Sequence, residues 1–341
     1  MKNEKLLHSA SAFWDMAKEY LHKHLPDVRK VSSNTIASYR DSLNHYIDYL
    51  ENQKQCNRKQ LSFVYFNRDY IKEYMDWMLN SKKLAPKTCN LRITAIRSLL
   101  EYAANDHNEL MSAYLSVCSV KCIKTPAGPI EFFESSQMKA LLATPDTTRR
   151  TERRNQMMLI LMYDLAARVS ELLDLKLSSL HLSSDIPHIT IYGKGRKYRN
   201  IPLMDKTRKH LDRYLKEFHT PLITGSNLFY ATTHGERHRL SSDTVEAMLK
   251  RYAKICSMKM EMPPKSHCHM IRKTRAMDLY QSGVPLTHIQ QLLGHENLST
   301  TSGFYAFATL DTLAKSMSKS DEGTSVKKWS DKDILAKIYR L

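Results

Sequence analysis

His269-x-x-Arg272, Leu293-Gly294-His295 and Tyr305 crowd into one stretch of a strongly basic chain. Side chains of these kinds can hold a phosphodiester, neutralise its oxygens and attack its phosphorus. Attack at phosphorus piles charge on the non-bridging oxygens, so fixed cationic donors must already be waiting there. Arginine suits that task because its planar fork reaches two oxygens and never loses its charge. Arg272 follows His269 by three residues, which places both on one face of a helix. A second arginine, Arg168, lies in AARVSELLDL, where Glu171 comes one turn later and is placed to orient its guanidinium. Each piece alone has a plain explanation: H-x-x-R is commonly a surface pair, and a tyrosine beside Phe304 is commonly core. Conjunction and order single them out: Arg168, then Lys194, then His269 and Arg272, then Gly294-His295, then Tyr305. The chain has no G-x-x-x-x-G-K-[ST] pattern and no clear trio of carboxylates for two-metal chemistry. No cofactor and no metal is therefore expected.

The elements that must position these groups follow from length and pattern. A chain of 341 residues has room for two domains with real cores. Hydrophobic residues at 42 % and charged residues at 26 % read as an ordinary globular protein. The 52 lysines and arginines outnumber the 35 aspartates and glutamates, a formal net charge of +17, which points to a polyanionic partner. Nucleic acid fits better than membrane, since no apolar run approaches the ~20 residues of a span. The opening MKNEKLLHSASAFW lacks the apolar core of a signal peptide, so a cytoplasmic, nucleoid-associated protein is expected. Cysteines 56, 89, 118, 122, 256 and 268 form no C-x-x-C pair. His267-Cys268-His269 resembles a metal cluster only on paper, because adjacent helical residues point apart. Reduced, packing cysteines are expected.

Helical periodicity fills the first part of the chain. Phe13 to Leu25 is one segment; Ile36, Tyr39, Leu43, Tyr46, Ile47 and Leu50 recur after cap candidates Ser32 and Ser33; Tyr70, Ile71, Tyr74, Trp77 and Met78 recur after Asp69; and Leu91 to Tyr102 follows Pro86 and Thr88. Residues 1–120 thus read as a four-helix domain. KCIKTPAGPIE breaks the pattern, so 121–133 is expected to be a linker. The second domain, 134–319, opens helically at Ser135 or Ser136 and takes its core from Met157 to Leu177. TTRRTERR, with Arg149 and Arg150, is either a solvated loop or a phosphate contact. HITIYGKGRKYRNIPL, residues 188–203, is the strong β signal, a hairpin whose tip carries Lys194, Arg196, Lys197 and Arg199. That tip is either a solvated turn or a finger aimed at a backbone. Residues 268–282 form a helix ended by Gly283, and Thr287 with Gln290 gives a capping-box pattern for a further helix that Gly294 can end. Ser299 is a cap candidate for the short helix carrying Tyr305. Residues 320–341 end in an amphipathic helix with Ile334, Leu335 and Ile338 on one side, which docks either on its own domain or on a neighbouring subunit.

Set in this order, the motifs resemble those of the tyrosine site-specific recombinases, the phage-integrase family. The resemblance is carried by Ala167-Arg168-Val169-Ser170-Glu171-Leu172, by Gly193-Lys194-Gly195 with Ile201-Pro202-Leu203, by His269-x-x-Arg272, and by LGHENLSTTSGFY from Leu293 to Tyr305. More loosely, PKTCNLRITAIRSLLEY is similar to the last helices of the family's core-binding domain. The resemblance implies a mainly α protein: a helical DNA-clamping domain followed by an α+β catalytic domain with a small sheet. It further implies that Tyr305 is the nucleophile, forming a 3′-phosphotyrosyl bond and freeing a 5′-hydroxyl. Arg168 and Arg272 would hold the scissile phosphate, with Glu171 in support. Lys194, with Lys197 as its competitor, would protonate the leaving oxygen, His269 would move the tyrosine's proton, and His295 would donate to a non-bridging oxygen.

The family resemblance also implies site-specific recombination of double-stranded DNA, by a tetramer, in the service of a mobile element, and the size of the chain points to a simple core site. A DNA-relaxing enzyme of the type IB topoisomerase kind shares the chemistry, and a non-catalytic DNA-binding regulator shares the fold. Departures from the family pattern are Lys273, where histidine is usual, Arg275, where an apolar or aromatic residue is common, and Ser178-Ser179-Leu180 in place of an acidic turn. Lys273 and Arg275 join Arg149, Arg150, Arg196, Lys197 and Arg199 as candidate DNA contacts.

Overall fold

The computed structural model describes residues 2–125, 131–193 and 198–294. It divides into two units, Met1–Gly128 and Pro129–Leu341.

The first unit is helical: α1 (Lys2–Leu7), α2 (Ala10–Glu19), α3 (Ser33–Lys54), α4 (Arg68–Asp76), α5 (Pro86–Asp106) and α6 (Met111–Cys118). Helices α2 and α4 run on into π-helical segments, Tyr20–Val28 and Trp77–Ser81. The four helices expected from periodicity are present, flanked by the short α1 and α6. Ser32 caps α3, its hydroxyl accepting from the Thr35 N–H at 3.2 Å. The cap of α4 is Asn67 rather than Asp69: the amide oxygen accepts from the Asp69 and Tyr70 N–H groups at 3.0 and 3.1 Å. Asp69 sits instead in the first turn, where its charge favours the positive end of the helix dipole. Pro86 stands at the start of α5, where its missing N–H costs nothing. The core is rich in aromatic rings. Tyr46 meets Phe66 and Tyr74 edge-on at 5.3 and 4.8 Å, and its hydroxyl donates to the Tyr65 carbonyl at 2.6 Å, so the buried phenol keeps a partner.

The second unit runs α7 (Ser135–Ala143), α8 (Arg150–Asp164), α9 (Val169–Leu173), β1 (Leu180–His181), β2 (His188–Tyr192), β3 (Tyr198–Pro202), α10 (Asp205–Phe218), β4 (Tyr230–Thr233), β5 (Glu236–Arg239), α11 (Ser242–Ser257), α12 (Cys268–Gln281) and α13 (Leu286–Leu293). Strands β1, β2 and β3 form an antiparallel sheet in that order, with Ile189 opposite Ile201. Ile189 and Ile191 point into the core while Thr190 and Tyr192 do not, the alternation expected of a half-buried strand. They belong to the same hydrophobic core as Met157, Met158, Leu161 and Met162 of α8.

Three details add to the sequence expectation or correct it. A second hairpin, β4–β5, has no signature in the sequence, because ERHR in β5 is exposed throughout and shows no apolar alternation. Its two-residue turn is His234-Gly235, both at positive φ (51° and 84°), the conformation that matches strand twist. Next, the apolar run from Met157 to Leu177 supplies core helices as expected, and the structure places the break between them: α8 ends at Asp164, and Ala166 adopts φ 45° before α9 begins. Last, α13 starts at Leu286 behind Pro285, whose carbonyl accepts from the His288 and Ile289 N–H groups. Thr287 is therefore inside the first turn and heads no capping box, because the φ fixed by Pro285 sets the start of the helix earlier. Gly283 (φ 83°) follows α12 and Gly294 (φ 60°) ends α13, as the spacing predicts.

Candidate active site

The left-handed residue Ala166 turns the chain sharply out of α8, so that Arg168 arrives at the cap of α9 in extended conformation (φ −71°, ψ 150°). One turn on, the Glu171 carboxylate reaches back. Oε2 accepts from the Arg168 backbone N–H at 2.9 Å and Oε1 from Arg168 Nη1 at 2.6 Å. Arg199 of β3 grips the same carboxylate, with Nη1 on Oε1 at 3.2 Å and Nη2 on Oε2 at 2.6 Å. Arg272 of α12 lies beside them, its Nη1 3.8 Å from Glu171 Oε2. Nη1 donates to the Ala166 carbonyl at 2.7 Å and Nη2 donates to the Leu293 carbonyl. Arg272 is only 2 % exposed, and Glu171 only 6 %.

This packing decides the charges. Burial pushes the Glu171 carboxyl up, but Arg199, the Arg168 N–H and the Arg168 guanidinium pull harder, and it is held down at about 2. Among the described residues, three guanidiniums thus face one permanently ionised carboxylate, which leaves an excess of positive charge to receive an anion. His269, one turn before Arg272 on α12, still reaches solvent. Partial desolvation, together with Arg272, Lys273, His267 and Arg168 around it, nevertheless lowers its imidazole to about 4. The ring is neutral near pH 7 and so can accept a proton there.

The structure therefore brings together Arg168, Glu171, His269 and Arg272. Lys194, Arg196, Lys197, His295, Ser299, Tyr305 and the segment 320–341 lie outside the described residues. Of the candidate DNA contacts, Arg149 is exposed and pairs with Asp146 at 3.4 Å. Arg150 lies over the Phe218 ring at 4.7 Å and 3.9 Å from Glu217. Lys273 is partly exposed beside His269. Two others are engaged by the protein itself. Arg275 stacks over the Tyr163 ring at 5.0 Å, and the Tyr163 hydroxyl donates to Asp278 at 2.6 Å. Arg199 has a side chain only 9 % exposed and faces Glu171, not solvent. Strand alternation puts Arg199 on the same face of β3 as buried Ile201, a signal masked by the run of basic residues around it, but it does not name Glu171 as the partner. Cys268 is buried in the core and its N–H is held 3.2 Å from both oxygens of Glu246, while neighbouring His269 faces outward.

Comparison with known proteins agrees with this geometry. Residues 131–309 match the phage integrase family, and residues 17–107 match the phage integrase N-terminal SAM-like domain. The chain is 30 % identical over 333 residues to a provisionally named integrase/recombinase, y4rC, of Sinorhizobium fredii (96 % of this chain, 97 % of the relative). It is 31 % identical over 295 residues to the tyrosine recombinase XerC of Staphylococcus carnosus, covering 84 % of this chain and 90 % of that one. Among solved structures, XerH site-specific recombinase bound to a palindromic difH substrate, a post-cleavage complex, superposes with a TM-score of 0.66 at 20 % identity (91 % of this chain, 84 % of that chain), which speaks to the fold. With its guanidinium cluster, its small antiparallel sheet and a family match that spans more than half of its length, the chain belongs to the phage integrase family.

Proposed function

We propose that this chain is a tyrosine recombinase that cuts and rejoins double-stranded DNA at a specific core site. The observation that carries this is the convergence of Arg168 and Arg272 on the buried carboxylate of Glu171, with His269 near enough for both guanidiniums to act on its ring. Tyr305 attacks the scissile phosphorus, a 3′-phosphotyrosyl bond forms, and the bond to the 5′-oxygen breaks. His269, neutral near pH 7, takes the tyrosine's proton, and Lys194 gives one to the leaving 5′-oxygen. Arg168 and Arg272 neutralise the non-bridging oxygens, with His295 adding a hydrogen bond. The ester keeps the bond energy, so rejoining to a different 5′-hydroxyl exchanges strands without nucleotide hydrolysis.

The relatives named XerC support recombination as the outcome, and a lambda integrase has been solved as a tetramer on a Holliday junction. We accordingly assign a tetramer on paired sites, residues 1–120 as the domain that clamps DNA, and residues 320–341 as a helix that docks on a neighbouring subunit. Arg149, Lys273, Arg196 and Lys197 contact the DNA backbone. No helix among the described residues is long and apolar enough to cross a membrane. We place the protein on the nucleoid in the cytoplasm and its gene in a mobile element.

A nicked suicide duplex built from the DNA flanking the gene tests this directly. The wild type traps a covalent complex and Tyr305→Phe does not; trapping by Tyr305→Phe would sink the assignment. Relaxation of any supercoiled plasmid by a monomer, without sequence dependence, would point instead to a topoisomerase.

A further inference from the structure

From the hydrogen bonds around Glu171 we infer that Arg199 is a positioning residue of the strand-cleavage site: it saturates the Glu171 carboxylate and so fixes where the Arg168 guanidinium points. A carboxylate offers about four lone-pair positions. At Glu171 they are all used, Oε1 by Arg168 Nη1 and Arg199 Nη1, Oε2 by the Arg168 N–H and Arg199 Nη2. Arg168 therefore holds the carboxylate through one side-chain nitrogen, and its guanidinium, a third exposed, keeps donors for a phosphate. Without Arg199, two acceptor positions on a buried charge fall vacant, and the nearest cations that can fill them are Arg168 and Arg272. Either would be drawn off the phosphate to pair with Glu171 more fully. A contact from β3 thus keeps the clamp residues from collapsing onto their own support.

The same side chain meets the end of α13. A Cβ on Gly294 would come within 3.1 Å of Arg199 Nη1 and 3.4 Å of its Cδ, so the glycine is what allows Arg199 to pass beneath that turn. Arg199 consequently ties three segments together: β3, the start of α9 and the close of α13. A direct DNA contact would need the guanidinium turned outward, whereas it is buried on Glu171.

This inference rests on the proposed strand cleavage, and the experiment keeps the two apart. Single-turnover formation of the covalent complex is followed on the flanking-DNA suicide duplex with saturating protein. Arg199→Met is expected to cleave ~10-fold or more slowly while its DNA affinity stays within ~3-fold and its salt dependence is unchanged. Arg199→Lys restores part of the rate. Combined with Glu171→Gln, Arg199→Met adds little further loss, because both substitutions break one unit. Cleavage by Arg199→Met within ~2-fold of wild type, losses that multiply in the double variant, or an affinity loss with a salt slope reduced by about 1, the mark of a phosphate contact, would each overturn it. Should Arg199→Met fail to fold, Arg199→Lys carries the test: slowing by ~3-fold or more supports positioning and a wild-type rate refutes it. Absence of any adduct from the wild type would remove the cleavage proposal and this inference together; a wild-type adduct with an undisturbed Arg199→Met rate removes the inference alone.

Discussion

Arg272 Nη1 donates to the carbonyl oxygen of Ala166 across 2.7 Å, tying the middle of α12 to a left-handed residue at the exit of α8. With Nη2 on the Leu293 carbonyl, one buried guanidinium joins three chain segments. Arg272→Met should strand two carbonyls and remove a charge facing Glu171, costing about 3 kcal/mol of stability. Urea unfolding of the variant against the wild type checks this. A change below about 1 kcal/mol would mean the arginine is not structural.

Glu171 gives a pH signature. Its carboxyl is held down at about 2, below the ordinary value of 4.5, so its contribution is fully present above about pH 4.5 and is lost as pH falls toward 2. At neutral pH that contribution is on the order of 3 kcal/mol. The stability gap between wild type and Glu171→Gln should accordingly be widest near pH 6 and narrow on acidification. A gap that stays constant from pH 6 to pH 2.5 in urea titrations would contradict it.

His269 should titrate late. In the free protein its imidazole proton resonances are expected to move with a midpoint near 4, because desolvation and the surrounding cations disfavour the charged ring. Measured by NMR, with His269→Gln identifying the signal, a midpoint at or above about 6 would rule out a neutral acceptor of this kind.

Gly294→Ala places a Cβ against Arg199 in a backbone region that alanine disfavours. The expected cost is about 1–2 kcal/mol in thermal or urea unfolding. Gly283→Ala, also at positive φ but with open space around it, controls for the backbone term and should cost less.

Lys273 and Arg275 should separate in DNA binding. Lys273→Gln is expected to lower the salt slope of affinity by about 1. Arg275→Gln should leave that slope alone and instead weaken the packing on Tyr163. Equal slopes for the two variants would remove the distinction.

Much of this was written in the sequence, for identifiable reasons. Helices α3 to α5 showed because each buries one stripe, and β2 showed because Ile189 and Ile191 alternate with polar neighbours. Arg168 with Glu171, and His269 with Arg272, were legible because a helix turn fixes who faces whom. The pairing of Arg199 with Glu171 was not, since the two stand 28 positions apart and only folding brings them together. Strand β5 was invisible because an exposed hairpin has no apolar face to betray it, and Asn67 was passed over as a cap because Asp69 stood nearer to the apolar run.

The carbonyl bridges of Arg272 bear on how sequences of this kind are judged. A residue that rivets the scaffold is retained by any descendant that still folds, whether or not it still cuts DNA. Finding that arginine in a distant relative therefore says more about architecture than about activity. A residue needed for the chemistry itself, as Tyr305 is by the mechanism proposed, is the better marker of a working enzyme.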